Sequence, residues 1–212
     1  MADSPAKRHL QRVEAAQAAA RAAAGNPLEG TPIHAQMRQQ LAHDQARLKQ
    51  IQSAQGKAQL KAVLLPNYDA YLEGVLDADA GGPDEVVSRL MLWHIDAGLY
   101  PRSLDIAAYV LRHGLDMPDA FKRTAACVVA EEIGLAALNA FKTRTPFDGA
   151  VIDRAVQLTE GADMPDEVRA RLLLARARGV LGTGSDDASL PLDAVTAAVA
   201  DLRRAIALHR SA

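Results

Sequence analysis

Metal-assisted cleavage of a phosphodiester needs carboxylates that converge on one point, usually with a Lys or His beside them. The nearest approach to such a pair is Glu131-Glu132. Both lie in an apolar helical stretch, where adjacent positions diverge by about 100°. The two carboxylates therefore do not share a face. The expectation is one Glu held by Arg123 or Lys142 and the other in solvent. Asp119 is followed by Lys122, but no acidic-x-Lys tripeptide follows. None of the six histidines (His9, His34, His43, His94, His113, His209) forms a His-x3-His pair, and Cys127 is the single cysteine, so no zinc site is expected. His94 follows Trp93 in an apolar run and reads as a hydrogen-bonded core residue, and Cys127 as an inert small hydrophobe. Gly179, Gly182 and Gly184 follow a helix rather than a strand, so they read as a loop and not a phosphate cradle. There is no Walker motif, and no catalytic residue, metal or cofactor is expected.

What remains is charge. Residues 1–62 carry nine Lys/Arg and four Asp/Glu, a net of +5, and residues 63–212 carry 15 and 22, a net of −7. A basic segment on an acidic body points to a polyanion as the segment's partner, against the plainer alternative of a solvated helical face. Met1 is followed by charged residues with no apolar core of a signal peptide, and no apolar run reaches the ~18 residues of a membrane span. With the lone Cys127, this fits a reducing cytosol, and the expected location is cytoplasmic.

The elements that must position these charges are helical. Ala supplies 43 of 212 residues, and no segment alternates with a period of two. An all-α fold follows. Ser4-Pro5 opens a first helix over 5–24, with a thin stripe of Leu10, Val13, Ala20 and Ala24, and Gly25-Asn26-Pro27 stops it. A long helix is expected over 33–61. Met37, Leu41, Leu48 and Ile51 fall on a heptad with polar breaks at Asp44 and Gln55, which suggests packing against other copies of the chain. From Leu64 a compact body of antiparallel helix pairs is expected. Its helix over 85–95 is apolar nearly all round and therefore central. Further helices are expected near 101–113, 118–141, 148–160, 165–181 and 192–208. Asp116-Met117-Pro118-Asp119 recurs as Asp163-Met164-Pro165-Asp166, and each reads as a helix start with its first Asp as cap. The segments expected are 1–32 (basic, DNA-binding), 33–63 (oligomerisation), 64–145 (central) and 146–212 (C-terminal).

The run from Arg89 to Gly98 and the run from Leu104 to Pro118 resemble the terminase small subunit of P-two-type temperate tailed phages, the GpM-like family. Ser4-Pro5-Ala6-Lys7-Arg8-His9, Leu65-Pro66, Ala130-Glu131-Glu132 and the stretch 164–170 are similar too. The resemblance implies a DNA-packaging role. Such a subunit recognises double-stranded phage DNA at its cohesive-end site, forms a ring-like homo-oligomer, and delivers the DNA to the terminase large subunit. The large subunit holds the ATPase and nuclease centres. The family is often labelled an endonuclease subunit because the holoenzyme cuts DNA; with no converging carboxylates in its sequence, this chain is not expected to do the cutting itself. Phosphate contacts are expected from Lys7, Arg8, Arg12 and Arg21, then Arg38, Lys57 and Lys61. The alternatives are a metal-dependent endonuclease and a helical scaffold that binds only protein.

Overall fold

The computed structural model describes residues 4–25, 31–118, 123–182 and 190–210. Asn26 and Pro27, Asp119 and Lys122, and Gly184 lie outside the described residues. Among the described residues the regular structure is helical, with no strand. The fold is all-α. The chain divides into two compact units, Met1–Lys122 and Arg123–Ala212. The division differs from the four segments expected. The basic helices belong to the same unit as the first helices of the expected central segment, and that segment's last helix, expected over 118–141, belongs with the C-terminal ones.

In the first unit, α1 (Pro5–Ala23) starts as the sequence implies. The Ser4 hydroxyl accepts from the Lys7 amide at 3.3 Å, and Pro5 sits where no helical donor is needed. Its buried face is not the expected stripe. Gln11, Ala15, Ala18, Ala19 and Ala22 are buried, whereas Leu10 is 55% and Val13 38% exposed. The reason lies across the interface, on α4 (Asp69–Ala78). A Cβ at Gly74 would stand 2.2 Å from the Arg12 carbonyl oxygen and 2.9 Å from the Ala15 Cβ. Only small side chains let two backbones come this close, so alanine, and not Leu10 or Val13, faces the body.

The single helix expected over 33–61 is two helices, α2 (Pro32–Lys49) and α3 (Ala54–Leu64). The amides of Gln50 and Ile51 turn back to the carbonyls of Arg47 and Leu48, the tightened last turn of a helix end. The Ser53 hydroxyl then accepts from the Gly56 amide at 3.1 Å and starts α3. The heptad residues do not form an outward seam. Met37 (1% exposed), Leu41 and Leu48 are in the core of their own unit, and Ile51 is half-buried. Asp44, the polar break, is buried with them. Its carboxylate accepts from the Tyr68 hydroxyl at 2.8 Å and from the Arg47 guanidinium at 3.1 Å.

A 3-10 turn, Leu65–Tyr68, leads into α4. Then α5 (Glu85–Asp96) runs through the core, with Val86, Val87, Leu90, Met91, Leu92, Trp93 and Ile95 all buried, as its all-round apolarity requires. Asp84 caps it, accepting from the amides of Val86 (2.9 Å) and Val87 (3.3 Å) on one oxygen and from the Tyr71 hydroxyl (2.5 Å) on the other. The next helix, α6 (Tyr100–His113), packs on α5 and ends at Gly114, whose φ of +63° suits a residue without Cβ.

In the second unit, α7 (Ala125–Lys142) begins seven residues after the expected start at Pro118. Thr124 is the cap, accepting from the Cys127 amide at 3.3 Å, and Asp116 does not cap this helix. After α8 (Gly149–Leu158), α9 (Asp166–Gly182) starts on the Pro165 carbonyl, which accepts from the amides of Val168 and Arg169. Pro165 thus holds the cap position expected for Asp163, and Asp166 and Glu167 meet the positive helix end. The last helix is α10 (Leu192–Arg210). Both α7 and α10 pack on α9.

Replacing Gly74 by Ala should force α1 off α4. We expect Gly74→Ala to destabilise the first unit by about 1–3 kcal/mol, read as a lower denaturant midpoint in the full chain. An unchanged midpoint would contradict the close packing.

Candidate nucleic-acid interface

The seven cations expected to meet phosphate are placed differently by the fold. Arg12 lies between two α4 acids, paired with Asp77 and 3.6 Å from Glu73. The Arg38 Nε donates to Glu85 at 2.7 Å, and Lys61 pairs with Asp96. Each therefore sits against an acid of its own unit. Lys7 and Arg8 are exposed in the first turns of α1. Arg21 is exposed near its end, lining a shallow cavity of about 160 Å³ with Glu14, Gln17, Ala18, Thr31 and Pro32. Lys57 is half-buried on α3.

This pairing redistributes the charge. The first unit contains 13 Lys/Arg and 14 Asp/Glu, a net of −1, and the second 11 and 12, again −1. The +5 segment is folded onto residues 63–122, which carry four basic and ten acidic side chains. The ion pairs themselves add little stability. Arg12, Asp77, Arg38 and Glu85 are about half exposed, and such pairs contribute ~0–1 kcal/mol. Sequence reasoning missed the acids that receive these cations. The available signal was Glu73 and Asp77, four residues apart and so on one face of α4.

Elsewhere, the ionisable side chains hold structure. Glu131 pairs with Arg123, as expected, and also lies 3.8 Å from Arg171, while Glu132 is exposed. Cys127 is buried. Asp79 accepts from Arg112 at 2.5 Å and from the His113 ring at 2.8 Å, and these donors, His113 first, hold its carboxyl below the usual range. Burial together with the adjacent Asp84 keeps the Tyr71 hydroxyl protonated far above its ordinary pKa. His34 is buried with its Nε2 3.6 Å from Asp84 and without a hydrogen-bond partner. Among the described residues no three His, Cys, Asp or Glu side chains are grouped to hold a metal ion, and no helix is long and apolar enough to cross a membrane.

His94 is the core histidine its surroundings suggested. It is 2% exposed, and its Nδ1–H donates to the Leu90 carbonyl at 2.7 Å. Burial depresses its pKa, opposed by that carbonyl and by Asp69 and aided by Arg102. The folded chain therefore binds this proton less readily than the unfolded chain, whose His titrates near ~6.5. Stability should fall as pH drops below about 6.5 and level off below the depressed folded value. Denaturant midpoints from about pH 5.5 to about 7.5 check this, and His94→Met should flatten the slope.

The model of the family described as phage small terminase subunit matches residues 38–167 of the chain. Over 169 residues the chain is 42% identical to the "Terminase, endonuclease subunit" of Escherichia phage P2, an alignment covering 80% of this chain and 68% of that protein. No solved structure matches it. The family match begins inside α2 and ends in the first turn of α9, so α1 and α10 lie outside it.

Proposed function

This chain belongs to the phage small terminase subunit family and has its role in DNA packaging, and we propose from that premise that it is a non-catalytic DNA-binding assembly factor. It binds double-stranded phage DNA at the cohesive-end site, assembles as a homo-oligomer, and presents the DNA to the terminase large subunit in the host cytoplasm. The observation that supports DNA contact is the exposure of Lys7, Arg8 and Arg21 along α1, a helix held rigidly by its alanine face. Arg12, Arg38 and Lys61 take a lesser part, because a carboxylate already meets the charge of each. Met37, Leu41 and Leu48 are buried within their own unit and Ile51 is half-buried, which favours an assembly surface other than this heptad.

The name of the P2 protein favours a second reading, that the chain cuts DNA itself. Specific nicking by the purified chain with Mg²⁺ alone would establish it.

Binding of cohesive-end DNA should weaken as salt rises, since each neutralised phosphate releases a counterion. A variant with Lys7→Glu, Arg8→Glu and Arg21→Glu should bind at least tenfold more weakly (about 1.4 kcal/mol) in a gel-shift titration at low salt. Wild-type affinity in this variant would place the interface elsewhere.

A further inference from the structure

The outer side of α10 carries a second heptad, and this one is not used. Leu192, Val195, Val199, Leu202 and Ile206 follow steps of three and four along the 19-residue helix, with His209 next in the series. They fall on one stripe. Leu192 is 81%, Val199 37% and Ile206 53% exposed. A different stripe, Ala198, Asp201 and Ala205, is buried against α9, where Arg176 grips Asp201 through two hydrogen bonds of 2.6 Å. The helix is thus fixed by one face while an apolar face stays open. Beside that open face runs a groove of about 520 Å³, lined by Leu138, Ala170, Leu174, Leu202 and Ile206.

We propose that this face binds the same face of a second copy of the chain, with the two α10 helices antiparallel. The helix is complementary to itself in that direction. Its first ten residues hold Asp193 and Asp201 and no basic residue, Asp201 being taken up by Arg176, and Arg203 and Arg204 lie near its other end. A parallel pair sets the basic ends side by side, whereas an antiparallel pair sets the acidic start of each helix toward the basic end of the other. The apolar series matches in the same direction. Val195 of one copy meets Ile206 of the other, Val199 meets Leu202, and Leu192 meets His209. The groove enlarges the contact. A lone pair of helices this short falls below the ~800 Å² per partner of a standard interface, and the incoming helix also meets Leu174 with Glu167 and Arg171 at the groove.

This inference rests on the self-assembly in the proposed function and is independent of the DNA contacts. Native mass spectrometry of the full chain tests it. Ile206→Asp with Val199→Asp, both at exposed positions, should halve the mass of the particle while helical circular dichroism is retained. An unchanged oligomer overturns the α10 assignment alone, and a monomeric wild-type chain overturns both it and the assembly reading. For direction, chains bearing Val195→Cys and chains bearing Ile206→Cys are oxidised separately and mixed. Cross-links formed mainly in the mixture support the antiparallel pair. Efficient self-cross-linking of the Val195→Cys chain, or no cross-link in any sample, overturns it.

Discussion

Two buried carboxylates, each accepting the hydroxyl of a tyrosine, hold the first unit together. Tyr68 and Tyr71 stand three residues apart where the 3-10 turn enters α4. Tyr68 reaches to Asp44 on α2, and Tyr71 reaches to Asp84, the cap of α5. One short stretch of chain thereby fixes a helix before it and a helix after it. A buried carboxylate is tolerated only when its oxygens are satisfied. Asp44 also accepts from Arg47, and Asp84 from two α5 amides. With α2 and α5 fixed in this way, α4 presents Gly74 to α1, and the basic helix docks on it.

The use of Asp44 also explains why a heptad pattern runs through helices that pack into their own unit. A polar residue at a heptad position marks a register-setting break in a coiled coil, and it marks a buried anchor in a monomer core just as well. Spacing gives the same 3–4 repeat whether the partner is a second chain or the chain's own α5. The residues that draw this repeat into its own unit and end the helix, Tyr68 and the Ser53 cap, are remote from the repeat or look ordinary in it. The features carried by local chemistry were legible: the Ser4-Pro5 start, the central α5, the core placement of His94, and the Glu131–Arg123 pair. The alanine face of α1 was not, because the choice of Ala15 over Leu10 depends on a glycine 59 positions later in sequence, a contact that no periodicity encodes.

The candidate interface follows the same rule. Side-chain type gave the list of cations, and tertiary pairing sorted it. Lys7, Arg8 and Arg21 are exposed on α1, and Arg12, Arg38 and Lys61 each pair with an acid across a helix boundary. Splitting the sequence at residue 62 separates charges that the fold brings together, and each compact unit is nearly neutral.

Under the proposed DNA contact, those internal ion pairs turn part of the binding into an ion exchange within the protein. When a phosphate takes Arg12 from Asp77 and Glu73, the carboxylates left behind draw a cation from solution. The charge left on the carboxylates offsets part of the ion freed from the DNA, so the step contributes less to counterion release than an unpaired cation does. A cation already neutralised by its own fold therefore adds to geometric fit with a smaller gain in salt sensitivity. Such a protein can be placed on a polyanion more firmly than its salt response suggests.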